Sequence, residues 1–208
     1  MKIGKMVELI PKTNPTLAIF DPTIFPTIKS VSFFFKAAKI EVTSSGNDVP
    51  KANKIAETMD GKSISWLQQI ALKKNASIVA SLAIKENKNF YNRLVWVYPN
   101  GNITFYDKRH TFTLAGESKV YSKGKTKKII DYKGWKFLPQ VCYDLRFPVW
   151  SRNDSNYDVL FYLANWPSPR ISHWNKLLVA RAIENMSYCI GVNIVGSDPE
   201  NKYEGGSC

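Results

Sequence analysis

The 208-residue chain is 44% hydrophobic and 13% aromatic. That composition excludes a disordered chain and suits a single domain (residues 1–208) that buries roughly 70% of its unfolded surface. Its 29 Lys and Arg against 17 Asp and Glu leave a formal charge of +12, but the cations are scattered and no recognition motif accompanies them, so no nucleic-acid partner is expected.

Residues 1–40 are punctuated by Pro11, Pro15, Pro22 and Pro26, and neither a helical nor an alternating period persists there. A strand is possible over residues 28–40, where Val31, Phe33 and Phe35 recur at alternate positions. The apolar run from Leu17 to Phe35 is broken by Asp21, Pro22, Pro26 and Lys29, which fits neither a membrane-spanning helix nor a signal segment. A soluble, untargeted protein with no membrane partner is expected.

From Ile55 onward the pattern is coherent. Asp60-Gly-Lys-Ser63 reads as a turn and cap, and Ile64, Leu67, Ile70 and Ala71 then share one face of a helix ending near Lys74. Strands are predicted at 77–84, 91–98 and 103–106, joined by the turns Glu86-Asn-Lys-Asn89 and Pro99-Asn-Gly-Asn102. The lysines 119, 123, 125, 127 and 128 read as a solvated loop. Residues 129–132 and 135–142 form a second hairpin, whose nearly all-apolar second strand implies burial on both faces. Pro148 suits a first helical turn, and 159–164 reads as a buried strand. Ser172 can cap a helix that carries Trp174, Leu177, Leu178, Arg181, Ala182, Ile183 and Met186, and 188–195 is again strand. Alternating strands and helices predict an α/β layered fold.

Three cysteines, Cys142, Cys189 and Cys208, form no CxxC pair and leave one over. That argues against a disulfide framework or cysteine zinc site and for a reducing, cytoplasmic setting. Cys142 ends a buried strand just before a helix start, where backbone N–H groups can favour a thiolate. Read alone, it fits a small core residue better than a nucleophile. The following Tyr143, Asp144 and Arg146 tip the reading, because a plain core strand would not be followed by so many groups needing partners. Cys189 reads as core. His110 follows two cations and His173 sits at a helix start, so neither reads as the base a cysteine nucleophile needs, and a carboxylate must serve. Lys108 is either a fixed charge for an anionic intermediate or a solvated cation.

Several segments in consistent order, Tyr106-Asp-Lys108-Arg-His110, Ala115-Gly-Glu117, Val141-Cys142-Tyr-Asp-Leu-Arg146-Phe-Pro148, Ala164-Asn-Trp166-Pro and Ala180-Arg-Ala-Ile-Glu-Asn185, resemble the nitrilase superfamily of carbon–nitrogen hydrolases. Ala56-Glu-Thr-Met-Asp-Gly61 and Tyr91-Asn-Arg93 are similar to its omega-amidase branch. The resemblance runs from about Ala56 to Ser207. It implies a four-layer α-β-β-α sandwich, a homodimer paired through outer helices, hydrolysis of a small omega-amide such as 2-oxoglutaramate, and no metal or cofactor. By the same resemblance Cys142 is the nucleophile, Lys108 and the Tyr143 N–H steady the oxyanion, and Glu117 positions lysine and substrate. The general base is then Glu41, which has a glycine five positions on but lacks the family's preceding proline. Arg146, Trp166 and Arg170 are candidate substrate contacts, with Arg146 or Arg170 for a carboxylate on charge alone. Residues 1–40 depart from the family pattern and the closing strands are not reached, so the sandwich is expected to be incomplete at both ends. An impaired or inactive truncated or frameshifted member, and a hydrolase of N-carbamoyl or other short amides, are the alternatives.

Overall fold

Strands follow strands in the first half of the chain and alternate with helices in the second, and the two halves build two different sheets. The computed structural model describes residues 16–20, 36–37, 49–198 and 200–208. The first sheet joins β1 (Thr16–Phe20), β2 (Lys36–Ala37), β3 (Ser77–Glu86), β4 (Asn89–Val97) and β5 (Ile103–Asp107) in the order β2-β1-β3-β4-β5, antiparallel throughout. Among the described residues, α1 (Val49–Ile55) and α2 (Lys62–Lys74) precede β3. α2 starts after Gly61, and the Glu57 carboxylate accepts from the Ser63 N–H at 2.8 Å and from its hydroxyl at 2.7 Å. A side chain four residues upstream of the cap position thus satisfies donors that the helix leaves unpaired. The expected 64/67/71 stripe packs on Ile78, Ala80, Val95 and Val97.

The second sheet holds β6 (Ile130–Tyr132), β7 (Trp135–Val141), β8 (Val159–Ala164) and β9 (Tyr188–Asn193). β6 and β7 are the expected hairpin; β7, β8 and β9 run parallel. Parallel neighbours need crossovers. One passes through a 3-10 turn (Cys142–Arg146) and α4 (Pro148–Ser151), the short α3 (Glu117–Val120) lying before β6; the other is α5 (Ile171–Asn185). Gly191 on β9 lets α5 lie close, because a Cβ there would stand 2.4 Å from Leu178 and 2.6 Å from Trp174.

The sheets pack face to face. Val79, Leu94, Trp96 and Tyr106 of the first meet Phe137, Val141, Phe161, Leu163 and Val192 of the second, with Trp96 5.1 Å from the Phe137 ring. The opposite face of the second sheet, through Leu138, Leu160 and Tyr162, is covered by Trp174 and Leu178 of α5. Helix, sheet, sheet and helix make the expected four layers, and strands covered on both faces explain the unbroken apolar runs.

Several local expectations change. The strand Thr16–Phe20 pairs with Ser77–Ser81, a non-local partner that a local reading of residues 1–40 does not reveal. Of the strand expected over 28–40, only Lys36–Ala37 lies among the described residues. Ser172 is inside α5 rather than its cap, because the 3-10 turn Ser168–Arg170 feeds directly into the helix. Ile183 lies on the helix but is 72% exposed, and Met186, expected within the helix, is instead its left-handed C-cap at φ +47° and is 94% exposed. β9 stops at Asn193; Ile194 then donates to the Ala164 carbonyl, and the chain turns into β10 (Val195–Ser197), paired with β11 (Lys202–Glu204).

Candidate active site

The carboxyl ends of parallel strands collect loops on one side of a sheet. Here β7 delivers Cys142 and β8 delivers Asn165 to adjacent positions. Cys142 is the first residue of the 3-10 turn and holds φ at +45°, a left-handed conformation that costs a non-glycine residue of order 1–3 kcal/mol and clusters at functional sites. Its thiol points to the Asn165 carbonyl at 3.9 Å.

From the other sheet, Lys108 directly follows β5. The Lys108 ammonium donates to Glu117 Oε2 at 2.6 Å, and the two side chains are 4% and 1% exposed. Glu117 also accepts from the Phe112 N–H at 2.5 Å and from Asn92 Nδ2 at 2.9 Å, and Asn92 in turn accepts from the Ser81 hydroxyl at 2.8 Å. A buried ion pair survives only with its remaining lone pairs satisfied, and this chain of donors does that. Gly124 seals the Lys108 loop: its N–H donates to the Lys108 carbonyl, and a Cβ there would sit 2.0 Å from the Asp107 oxygen.

Lys108, Glu117, Asn92, Cys142, Asn165 and Arg170 line one cavity of about 530 Å³. Burial works to lower the Lys108 ammonium, but the Glu117 carboxylate and then Cys142 hold its proton on, and the balance is upward. Burial pushes the Cys142 thiol up and outweighs the pull of Lys108. At neutral pH the lysine is therefore a cation and the cysteine a protonated thiol.

The expected site residues divide. Cys142, Lys108, Glu117 and Arg170 share the cavity. The Arg170 guanidinium lies 5.5 Å over the Phe112 ring. Arg146 is not in the cavity wall; its guanidinium meets His173 Nδ1 at 3.1 Å and stacks 4.9 Å from the Trp166 ring. Trp166 is core, 3% exposed, packed on Trp174 with its indole N–H on the Arg170 carbonyl. Glu41 lies outside the described residues. The Tyr143 ring packs against Phe112 and Phe147. Two residues at the site carry no role in the sequence reading. Asn92 sits in the Tyr91-Asn-Arg93 segment, and Asp144, fully buried, draws hydrogen bonds from both halves of the site.

Two face-to-face sheets with a cysteine turn from one and a buried Lys–Glu pair from the other make the architecture of a nitrilase-like sandwich. The carbon-nitrogen hydrolase profile matches residues 2–208, and the chain belongs to that family. It is 49% identical over 145 residues to the omega-amidase YafV of Yersinia enterocolitica, covering 69% of this chain and 57% of that protein. It is 38% identical over 172 residues to the 2-oxoglutaramate amidase of Bacillus subtilis, covering 80% and 66%. Among solved structures, XC1258 of Xanthomonas campestris, a CN-hydrolase superfamily protein with an arsenic adduct in its active site, superposes with a TM-score of 0.73 at 40% identity, covering 78% of this chain and 64% of that one. The chain spans little more than half the length of the YafV relative.

Proposed function

We propose that this chain hydrolyses a small omega-amide of the 2-oxoglutaramate kind through a thioester on Cys142. In this reading Sγ attacks the amide carbonyl carbon after its proton passes to a carboxylate base. The carbonyl oxygen becomes negative beside the Lys108 ammonium and the Tyr143 N–H, the latter at the start of a 3-10 turn whose first donors have no acceptor within it. The C–N bond then breaks, the base returns the proton, and ammonia leaves. Water attacks the thioester, the C–S bond breaks, and the carboxylate departs.

The upward-shifted thiol explains why a base is needed. Glu117 is already engaged by Lys108, Phe112 and Asn92, so its proposed role is to position the lysine, and the proposed base is Glu41. Arg170, half-buried in the cavity wall, is the proposed partner of the substrate's distal carboxylate. No helix among the described residues is long and apolar enough to cross a membrane. For the expected homodimer, the outer face of α5, with Val179, Ile183 and Met186 exposed beside Tyr188, supports contact with a second copy; light scattering of Ile183→Asp against the unmodified chain tests it.

The observation that carries the reading is the left-handed Cys142 in one cavity with the buried Lys108–Glu117 pair. Cys142→Ala is expected to abolish ammonia release from 2-oxoglutaramate while the circular dichroism stays that of the folded chain. Ammonia release at the unmodified rate would refute it.

A further inference from the structure

Asp144 has no exposed surface, and an ionised carboxylate taken out of water is tolerated only where donors meet its oxygens. Its donors come from two segments. From its own, the N–H of Val141, the residue directly before Cys142, reaches Oδ2 at 3.1 Å. From the segment after β5, the Tyr106 hydroxyl donates to Oδ2 at 2.8 Å, and His110 brings both its N–H and its Nδ1 to 2.8 Å from Oδ1. Tyr106 precedes Lys108 by two positions and His110 follows it by two. The Tyr106 hydroxyl is itself held by the Arg109 N–H at 3.1 Å and by the Trp150 indole N–H at 3.0 Å. The His110 ring stacks flat on Phe147, 3.7 Å away. The segment that carries Lys108 is therefore fastened on both flanks to one anion, and that anion also fastens the peptide leading into the left-handed Cys142.

We propose that Asp144 is a positioning residue that sets the spacing between Cys142 and Lys108, joining the two sheets' contributions to the site. The assignment rests on Cys142 being the nucleophile and goes beyond it, because Asp144 is absent from the cavity wall and acts through Val141 and the 106–110 segment. Glu117 holds the lysine tip through Phe112 and Asn92, both from the first sheet's side. Those hydrogen bonds stay on the first sheet's side, with the Phe112 ring touching Tyr143 of the cysteine turn, whereas the Asp144 bonds supply directional ties between the Lys108 segment and the peptide leading into Cys142. The negative charge is near enough to bear on both partners, raising the Lys108 ammonium and the Cys142 thiol as a minor contribution to each.

The test is alkylation of Cys142 in the full chain by iodoacetamide, which needs no substrate, followed from pH 6 to 10 (a range of about 4 units spanning the ordinary thiol). Asp144→Asn keeps shape and one acceptor but turns an amide N–H₂ toward a donor. Loosening Lys108 from Cys142 costs the thiolate more than removing the Asp144 charge returns to it, because Lys108 is foremost among the groups that lower the thiol and Asp144 is the weakest of those that raise it. The variant is therefore expected to slow alkylation about tenfold, to displace the rise of rate to higher pH, and to lower kcat on the amide far more than it changes KM. If Asp144 acts through the Lys108–Cys142 spacing, the double variant Asp144→Asn/Lys108→Met alkylates no more slowly than Lys108→Met alone. Additive slowing, or an alkylation rate equal to that of the unmodified chain, overturns the assignment. Should Asp144→Asn not fold, Tyr106→Phe removes one donor and leaves the charge. It is expected to slow alkylation about threefold with the same non-additivity, and an unchanged rate overturns the assignment. A chain that shows this coupling but releases no ammonia supports the role of Asp144 and refutes the amidase reading.

Discussion

The two halves of the site are built by opposite means. On the first sheet's side, Lys108 is placed by side chains: Glu117 grips it, Asn92 and the Phe112 N–H grip Glu117, and Ser81 grips Asn92. On the second sheet's side, Cys142 is placed by backbone, a left-handed turn at the end of a strand locked between two neighbours in the layered core. The difference says where each half is fragile. A network of buried charges fails when one partner is removed, since the other is left uncompensated. A strained turn fails only when its frame loosens, and its occupant can change.

The largest expected effect therefore falls on the network. Lys108→Met strands the Glu117 carboxylate, and chemical denaturation should show about 3–5 kcal/mol lost together with at least about a hundredfold loss in kcat. Lys108→Met combined with Glu117→Gln should recover much of the stability and none of the activity. Next comes the proposed substrate contact: Arg170→Ala should raise KM for a carboxylate-bearing amide by roughly tenfold or more, the worth of one charge-assisted hydrogen bond, and leave a neutral short amide nearly unaffected. A panel that includes N-carbamoyl and neutral amides reads both.

The backbone half is sharpened by an inactive pair. With chemistry removed in both, Cys142→Gly should be more stable than Cys142→Ala by about 1 kcal/mol, the cost of a left-handed residue with a Cβ. Equal stabilities would mean that the turn carries no strain. The smallest effect concerns pH. Burial raises Cys189 from 9.0 to about 12, so the folded chain keeps that proton where the unfolded chain loses it. The associated stability is intact below about pH 9 and drains away as pH rises toward about 12. Thermal melts between those limits should fall less steeply for Cys189→Ala.

Much of the backbone half was legible. The all-apolar run into Cys142 and the proline at 148 marked a buried strand followed by a helix start, and β7 and α4 sit there. The 64/67/71 stripe likewise gave α2, though its carboxylate cap lies at Glu57, before the turn expected to supply it. The network half was legible only as motifs. Glu117 and Lys108 are nine residues apart and form one pair, but Asp144 meets Tyr106 and His110 across 38 and 34 residues, and no local period reports such a contact. Its signal was only that a buried strand ended in an acid needing partners. Charge and motif point Arg146 and Trp166 toward the substrate, whereas cation stacking and core packing occupy both. Strand β1 is not legible locally, because β3, which it pairs with along its full length, lies some sixty residues downstream.

Both halves converge on Cys142, the proposed nucleophile, and its covalent intermediate can be seen directly. The full chain is mixed with 2-oxoglutaramate, quenched in acid within milliseconds and digested for mass spectrometry. The expected result is an acyl group, the substrate less ammonia, on the peptide containing Cys142, absent from Cys142→Ala and diminished in Lys108→Met. Ammonia released with no acyl group on that peptide, or with the group on Cys189 instead, would contradict the account.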